Sequence, residues 1–397
     1  MKWAALALAA SLLLAACSSP RPTSRAAASP RASAASPAPT VGPPRPLHLK
    51  VSAVATGLEV PWSLAFLPGG DMLVTERTGR VRLIQSGQLQ PQPVLTLDVV
   101  QAPGTESGLL GIALHPGFPN PPDVYLYYSY GRPGAANNRV SRFRYADGRL
   151  TDERPVLDGI PGDRCCHYGG RIAFGPDGML YVPVGEGQQP ARAADLASLG
   201  GKLLRVRDDG SVPPGNPFPG SPVYAWGLRN PEGLTWDRAG HLYLSSNGPT
   251  GEFQLCCHDE IDLIQPGGFY GWPVMAGNVP AGRPQDYGNP PPRVPPVAES
   301  GAEVWAPSGM AAYSPDPGRE QQTLLVATLA GKSLRRFLVD AGQPAKLAGQ
   351  EVALTGYGRL RDVVAGPDGC VYVLTSNRDG RGSPQAGDDQ VLRGCPT

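Results

Sequence analysis

Histidine is scarce in this sequence, and one histidine stands where acid–base chemistry could occur. The chain has 5 His in 397 residues, and His167 lies in the segment Cys-Cys-His-Tyr-Gly-Gly just before an alternating apolar run. An imidazole titrates near neutral pH, so its neutral form can take a proton from a hydroxyl group. The sequence therefore predicts a general base at His167. The alternative is a loop histidine that makes only structural hydrogen bonds.

Two arginines are spaced for the binding of an anionic group. Arg359 and Arg361 flank one leucine in the segment Gly-Arg-Leu-Arg-Asp. Alternate side chains of an extended segment point to the same side, so both guanidinium groups would face one way. Guanidinium forks pair with carboxylates through two parallel hydrogen bonds, which lysine cannot do. The spacing would suit an anionic ligand; two solvated surface arginines are the alternative.

The first residues predict export. Lys2 precedes a small, apolar run from Trp3 to Ala16, which is the layout of a secretory signal and too short to span a membrane. Leu-Ala-Ala-Cys, ending at Cys17, resembles a bacterial lipobox, although Cys17 could be incidental in an ordinary signal. We expect a lipoprotein signal peptide at 1–16, an Ala/Pro/Ser-rich tether at 17–47 and a folded domain at 48–397. The protein would then be anchored by lipid in the bacterial cell envelope.

Composition limits the fold and the partners. The chain has 51 Gly and 46 Pro, only 17% charged residues and a formal net charge of +1. Many short strands joined by turns are expected from so much Gly and Pro, and long helices are not. A net charge this small argues against binding to nucleic acid or, apart from the lipid anchor, to a membrane surface. A small molecule is the expected partner.

One sequence unit recurs six times after the tether. Each copy alternates apolar and polar residues in short runs separated by turns such as Pro-Asp-Gly, which is typical of antiparallel strands. The copies begin at Trp62, Gly111, Gly170, Gly233, Gly309 and Leu360. One such sheet cannot bury both of its faces, so repeated sheets stack around an axis. The pattern predicts an all-β, six-bladed β-propeller of four-stranded antiparallel sheets. A two-layer β-sandwich is the alternative.

The last copy has only three clear strands. The N-terminal segment 47–51 is predicted to supply the fourth strand and to close the ring. In the same blade Cys370 opens the second strand and Cys395 ends the third. Antiparallel pairing of these strands brings the two positions together, so we expect a disulfide between them, as exported cysteines usually oxidise.

Four other cysteines form two adjacent pairs, each followed by a histidine. Cys165 and Cys166 precede the candidate base, and Cys256 and Cys257 precede His258. Adjacent Cα atoms are only ~3.8 Å apart, which is below the usual disulfide span. We therefore expect cross-links between the two loops. A metal site built from these cysteines and His258 is the alternative.

Eight phrases of the chain, in order, resemble the soluble glucose/sorbosone (aldose sugar) dehydrogenases that use pyrroloquinoline quinone (PQQ). They are GLEVPWSLAFLP, ESGLLGIALHPGF, HYGGRIAFGPDG, LGGKLLRV, GLRNPEGL, NGPTGE…DEIDLI, GGFYGWP and GRLRDVVAGPDG. The resemblance runs through the whole repeated region. It implies a six-bladed propeller, PQQ and Ca²⁺ as cofactors, and oxidation of an aldose sugar at its anomeric carbon. The electron acceptor is not identified by it.

The same resemblance implies roles for particular residues. His167 matches the general base of the family. Glu186 matches an acidic position beside that base, where a carboxylate would orient the imidazole and stabilise its protonated form. Arg229 and Asn230 match the pair that touches the quinone, and Arg229 would also stabilise the negative charge that develops.

Further positions match the cofactor, metal and sugar sites of the family. Arg359 and Arg361 match the pair that binds the carboxylates of PQQ. The carbonyl groups of Gly248 and Pro249 match ligands of the calcium ion, since backbone oxygens suit a hard cation. Glu106 matches a polar position that lines the sugar pocket.

One position departs from the family pattern. Ala330 stands where many members have a lysine near the cofactor, and Lys332, two residues further on, could point the same way. Two other functions therefore stay open. One is a binding propeller that has lost its cofactor, which Ala330 favours. The other is a calcium-dependent propeller lactonase or esterase, which would need a ring of Asp, Asn and Glu side chains around the metal.

Overall fold

The computed structural model describes most of the chain beyond the predicted tether. It covers residues 45–101, 104–162, 165–316, 322–340 and 342–397. The predicted signal peptide, Cys17 and nearly all of the tether lie outside these residues. Within the described ranges, no helix is long and apolar enough to cross a bilayer.

The regular secondary structure of the described residues is almost entirely β-strand. The first three groups in chain order are β1 (Leu49–Ala55), then β2 (Pro61–Phe66), β3 (Met72–Glu76), β4 (Arg80–Gln85), β5 (Gln88–Leu89) and β6 (Leu95–Thr96), then β7 (Leu109–Leu114), β8 (Asp123–Arg132), β9 (Ala135–Ala146) and β10 (Arg149–Pro161). The next two groups are β11 (Ala173–Phe174), β12 (Leu180–Val184), β13 (Lys202–Val206) and β14 (Val223–Trp226), then β15 (Asn230–Trp236), β16 (Leu242–Asn247), β17 (Glu260–Leu263), β18 (Met275–Ala276), β19 (Val279–Pro280) and β20 (Ala298–Glu299). The last two groups are β21 (Pro307–Tyr313), β22 (Thr323–Thr328), β23 (Ser333–Asp340) and β24 (Gln343–Thr355), then β25 (Leu360–Ala365), β26 (Val371–Thr375) and β27 (Val391–Pro396). The described helices are α1 (Pro190–Ala194) and two 3₁₀ turns, Glu252–Gln254 and Pro284–Tyr287.

These strands form six antiparallel sheets. The orders are β2-β3-β4-β5 with β6 also on β4, β10-β9-β8-β7, β11-β12-β13-β14, β15-β16-β17-β20, β21-β22-β23-β24 and β1-β27-β26-β25. A small hairpin of β18 and β19 stands apart. The predicted six-bladed β-propeller is confirmed.

Turn chemistry explains why the repeated unit forms hairpins. In the Pro-Asp-Gly turn between β11 and β12, Gly178 has φ +74°, a left-handed conformation that suits glycine. Its N–H donates to the carbonyl of Gly175 at 2.9 Å. The Asp177 carboxylate accepts the N–H of Met179 at 3.1 Å. The local sequence thus reverses the chain within the space of one turn.

The first strand of each blade lies at the propeller axis. One axial cavity of about 520 Å³ is lined by residues from all six of these strands, among them Leu64, Ala113, Ala173, Thr235, Ala311 and Val363. At this cavity the guanidinium of Arg171 pairs with Asp362 at 2.7 Å. A narrow shaft and a central ion pair therefore replace a single central apolar core.

The apolar core is divided among the interfaces between neighbouring blades. Six clusters of buried side chains occupy the six interfaces of the ring. In the cluster between the second and third blades, Tyr125 and Val140 pack with Val182 and Leu204. Each sheet thus buries both of its faces against its neighbours, which is the reason for closing the ring.

The chain ends meet in the sixth blade, as expected. Strand β1 pairs antiparallel with β27, with Leu49 opposite Pro396. The pairing begins two residues later than the predicted segment 47–51 and extends to Ala55. In the same blade a disulfide joins Cys370 to Cys395, with their Cα atoms 4.4 Å apart.

Removing this disulfide should weaken the closed ring. We expect the Cys370→Ala/Cys395→Ala variant to lose roughly 3 kcal/mol in free energy of unfolding, because its unfolded chain is freer. Guanidinium chloride titration followed by tryptophan fluorescence measures this difference. A variant as stable as the wild type would show that strand pairing alone closes the ring.

Candidate active site

Loops at one end of the blades carry the candidate functional residues. In an antiparallel blade, the start of the first strand and the end of the second lie at the same end. His167 precedes β11, Glu186 follows β12, Asn230 begins β15, Gly248 follows β16 and Arg359 precedes β25. Repetition of one blade thus brings segments that are distant in sequence to one face.

A cavity of about 360 Å³ opens on this face. Its lining is rich in charged side chains and includes Glu106, His167, Arg229, Asn230, Glu232, Gly248, Pro249, Asp259, Ala330, Arg359 and Arg381. Its volume falls in the range of small-molecule sites. Seven of the residues selected from the sequence line it; Glu186, Arg361 and Lys332 do not.

The imidazole of His167 is held by a buried carboxylate. Its Nδ1 lies 2.7 Å from Oε1 of Glu186, whose side chain is 0% exposed. The backbone also constrains this loop: His167 has φ +63°, and its N–H donates to the Glu106 carboxylate at 2.8 Å. A Cβ at Gly185 would lie 2.1 Å from the His167 carbonyl oxygen, so only glycine fits beside it. The ring is fixed through Nδ1, which leaves Nε2 for a substrate.

Arg229 and Asn230 occupy the start of β15 beside this base. Arg229 donates to the Asn247 carbonyl at 3.3 Å and forms an ion pair with Glu252. The Asn230 amide oxygen accepts the Gly169 N–H at 3.0 Å, next to the base loop. Asn230 thus connects the blade of the base to the next blade, while Arg229 faces the cavity.

Arg359 and Arg361 lie at two depths. Arg359 lines the cavity and donates from Nε to Asp379 at 2.8 Å. Arg361 lies beneath it and donates to Glu232 at 2.6 Å. Burial alone would raise the pKa of Asp379, but Arg359 and Arg361 hold that pKa below its usual value. Asp379 therefore stays ionised and orients the cavity arginine.

A second ion pair stands beside the base loop. Arg381 donates to Glu106 at 2.6 Å and also approaches the Cys166 sulfur at 3.3 Å. Burial opposes ionisation of Glu106, yet Arg381 holds its pKa below the usual value. Glu106, predicted to line a sugar pocket, thus presents an ionised carboxylate that is shared with an arginine.

Oxygen donors suited to a hard cation line the side of the cavity formed by the fourth blade. Gly248 and Pro249 are both cavity residues, and a Cβ at Gly248 would lie only 1.7 Å from the Cys257 carbonyl oxygen. The Gly248 N–H donates to Asp259 at 2.9 Å. Burial raises the pKa of Asp259, although hydrogen bonds from backbone N–H groups oppose this. These contacts fix the segment whose carbonyl groups could hold a metal ion.

The structure corrects the expectation for Lys332. Its residue lies in the tight turn between β22 and β23 with φ +48°, and its side chain is exposed. Ala330 lines the cavity instead. Alternation of side chains fails here because the segment is a turn and not a strand.

The expected cross-links between the two cysteine loops are also wrong. Cys165 bonds to Cys166, and Cys256 bonds to Cys257. Each loop has its own anchor: the Cys165 carbonyl accepts the Glu106 N–H, and the Cys257 sulfur contacts the Ala302 carbonyl. The alternative metal site does not form either, because the cysteines are oxidised and His258 pairs with Glu299 at 2.6 Å.

Several site residues were not singled out from the sequence. They are Glu232, Glu252, Asp259, Asp379 and Arg381. Glu232 could have been found, because it lies two residues after Asn230 in the same extended phrase. Asp379 and Arg381 come from a long loop after β26, where no periodicity points to the cavity.

A buried lysine holds the segment that follows the turn of Glu186. The Nζ of Lys202 donates to the carbonyls of Arg192, Ala193 and Gly200 at 2.6, 3.1 and 2.8 Å. Its side chain is completely buried. Burial lowers the pKa of Lys202 to about 7, and its amino group donates to three carbonyl groups around the short helix α1.

Comparisons with known proteins agree on one family. The Glucose / Sorbosone dehydrogenase family model matches residues 58–384. The aldose sugar dehydrogenase YliI of Escherichia coli is 34% identical over 357 residues, which covers 84% of this chain and 92% of that protein. The PQQ-bound aldose sugar dehydrogenase of Streptomyces coelicolor has a similar structure, with TM-score 0.77, 37% identity and coverage of 89% and 99%. The apo form of the soluble E. coli aldose sugar dehydrogenase gives TM-score 0.76 at 32% identity and covers 88% and 100%.

Loss of the buried amino group should destabilise the domain. Lys202→Met keeps the apolar stem but removes a donor from three carbonyl groups, of which those of Arg192 and Ala193 keep a backbone N–H donor. We expect a loss of roughly 1–3 kcal/mol in free energy of unfolding, because the buried Gly200 carbonyl would stay unpaired. Urea denaturation measures it, with Lys346→Met at an exposed position as the control. Equal stability of the two variants would contradict this role.

Proposed function

Because the chain belongs to the glucose/sorbosone dehydrogenase family, we propose that it oxidises aldose sugars at the anomeric carbon with PQQ and Ca²⁺ as cofactors. One observation carries the proposal: a carboxylate-held imidazole and cavity-facing guanidinium groups share one cavity. The imidazole can remove a proton, and the guanidinium groups suit an anionic cofactor. The electrons then pass to a separate acceptor.

The residues present fit PQQ, a planar quinone with three carboxylates. Arg359 lines the cavity and uses Nε for Asp379, and within the described ranges its two terminal nitrogens have no hydrogen bond, so they could bind a cofactor carboxylate. Arg361 would support it from below, beside Glu232. The carbonyl groups of Gly248 and Pro249 would hold the calcium ion. When bound, the calcium-polarised quinone would accept the hydride from the sugar carbon.

His167 is the proposed base of the reaction. Because Glu186 occupies Nδ1 at 2.7 Å, Nε2 takes the proton of the anomeric hydroxyl. The imidazolium formed then has a buried carboxylate beside it, which stabilises its positive charge. Glu106 would bind a sugar hydroxyl near the same ring.

Arg229 is the proposed electrostatic partner of the base. It is 4% exposed, lines the cavity and is fixed by bonds to Asn247 and Glu252. A preoriented positive group next to the reacting atoms stabilises charge that develops in the transition state. Asn230 supports it by tying β15 to the base loop.

The hydrogen bonds of the cavity carboxylates argue against a calcium-dependent hydrolase. Glu232 accepts hydrogen bonds from Asn230, Ser308 and Arg361. Asp259 accepts three backbone N–H groups. These oxygens are occupied by the protein, whereas such a hydrolase needs them on the metal. A cofactor-less binding propeller would have no need for a paired base.

We also propose that the protein is exported and anchored by lipid at Cys17. The three disulfides among the described residues support an oxidising compartment. Metabolic labelling with a radioactive fatty acid tests the anchor. Label on the wild type and not on Cys17→Ala is the expected result.

Replacement of the base should abolish turnover and leave the cofactor bound. We expect His167→Ala to lower kcat by about 10²- to 10⁴-fold, because the hydroxyl proton loses its acceptor. PQQ-dependent dye reduction with aldoses measures kcat, and equilibrium dialysis measures PQQ binding. His241→Ala, at a histidine paired with Asp237 outside the cavity, is the control. Normal turnover in His167→Ala with PQQ bound would remove this residue from the mechanism.

Replacement of the arginine pair should act on cofactor affinity. Arg359→Lys and Arg361→Lys keep the charge but lose the two-pronged hydrogen bonds. We expect the double variant to bind PQQ at least about 10-fold more weakly in fluorescence titration. Arg283→Lys, whose side chain is 74% exposed, is the control. An unchanged affinity would show that these arginines do not hold the cofactor.

A further inference from the structure

The carboxylate of Glu252 lies between the proposed base and Arg229 and has no role in the reaction described so far. One of its oxygens accepts the Arg229 Nε–H at 3.2 Å and a second bond from the same guanidinium. Its other oxygen accepts the Thr250 N–H at 2.6 Å. Both oxygens are therefore held, and the carboxylate has one orientation toward the arginine.

The same carboxylate is close to the base. An oxygen of Glu252, a ring nitrogen of His167 and an oxygen of Glu186 all lie within 4.8 Å of one another. The imidazole thus has two carboxylates beside it, one in direct contact and one from a different blade.

Glu252 is ionised in this setting. Partial burial would raise its pKa, but Arg229 and the hydrogen bonds hold that pKa below the usual value. Its side chain is 28% exposed, against 4% for Arg229. The pair is therefore an ion pair at the edge of the cavity and not a neutral hydrogen bond.

The loop that carries Glu252 is tied at both ends. Thr250 forms a bridge with Cys256, and the Gly251 N–H donates to the Leu255 carbonyl at 2.9 Å. Cys256, a member of this bridge, also forms a disulfide with Cys257. A loop closed in this way loses little further freedom when it holds a side chain against the site.

Packing also fixes the tip of the loop. The ring of Phe253 lies 5.4 Å from that of Trp272 in an edge-to-face contact. The Arg229 guanidinium lies 5.6 Å from the same indole. Trp272 thus contacts Arg229 and also Phe253, the residue next to Glu252.

We propose that Glu252 is a positioning residue for sugar oxidation, acting through Arg229. Arginine has many rotamers, and a guanidinium that is already oriented stabilises developing charge better than one that must be ordered during the reaction. Glu252 binds Nε and one terminal nitrogen of Arg229, and the Asn247 carbonyl accepts from the other, so the guanidinium is held in one orientation. The inference rests on the proposed roles of His167 and Arg229.

Three variants test this role. Glu252→Gln has the same size but no charge, Glu252→Asp keeps the charge, and Glu59→Gln changes an exposed glutamate that also pairs with an arginine. In Glu252→Gln we expect kcat to fall about 10- to 100-fold, as for a small misplacement of a catalytic group. PQQ affinity and the KM for the sugar should stay within about threefold, because the bound ground state does not need the preoriented guanidinium. Glu252→Asp should recover much of kcat, and Glu59→Gln should match the wild type.

A double-mutant cycle separates action through Arg229 from a structural effect. If Glu252 acts through the guanidinium, adding Glu252→Gln to Arg229→Ala should cause almost no further loss of kcat. Additive losses would overturn the proposal, and so would a Glu252→Gln enzyme with wild-type kcat. Both results leave the proposed function intact if the wild type oxidises aldoses. A wild type that fails to do so with PQQ and Ca²⁺ would overturn the function and this inference with it.

Discussion

A guanidinium buried at the propeller axis constrains the rest of the structure. Arg171 pairs with Asp362 and donates to the Ser63 hydroxyl and the Glu232 carbonyl, so it joins four blades. Its cation also lies 4.2 Å from the centre of the Trp62 ring. A buried charge is tolerated only when it is fully paired, and removal of one partner leaves an uncompensated charge. The blades must therefore meet in one arrangement. This arrangement also fixes the positions of the residues at the floor of the cavity.

The charged side chains of the candidate active site are paired in the same way. Arg361 has Glu232, Arg359 has Asp379, Arg381 has Glu106 and Arg229 has Glu252. The first and third pairs join different blades, and the other two join loops of one blade, so the pairs hold the loops together as well as balancing charge. A cavity built in this way keeps terminal guanidinium nitrogens oriented before a ligand arrives. Preorganisation of this kind suits a rigid, anionic cofactor and a reaction that moves a proton and a hydride.

Much of this architecture could be predicted from the sequence because it depends on local pattern. Alternation and Pro-Asp-Gly turns specify the blades, and antiparallel register then specifies which strand ends share a face and why Cys370 meets Cys395. Other features depend on long-range or turn geometry that no pattern encodes. The adjacent disulfide in Cys165–Cys166, the outward turn at Lys332 and the arrival of Asp379 from a long loop belong to this group. Local sequence and the family resemblance indicated His167, Glu186 and Arg229, whereas Glu252, Asp379 and Arg381 needed the fold.

The central claim is that the protein oxidises aldoses with PQQ. The most direct test is the kinetic isotope effect on turnover of the reconstituted protein. The purified chain would be stripped with a chelator, mixed with PQQ and Ca²⁺, and supplied with glucose that carries hydrogen or deuterium at C1, while an artificial dye reports the electrons. The account predicts that dye reduction requires PQQ and is slower with deuterium, because the C1–H bond breaks during the reaction. Equal rates with and without PQQ, or no dye reduction with any aldose, would contradict it.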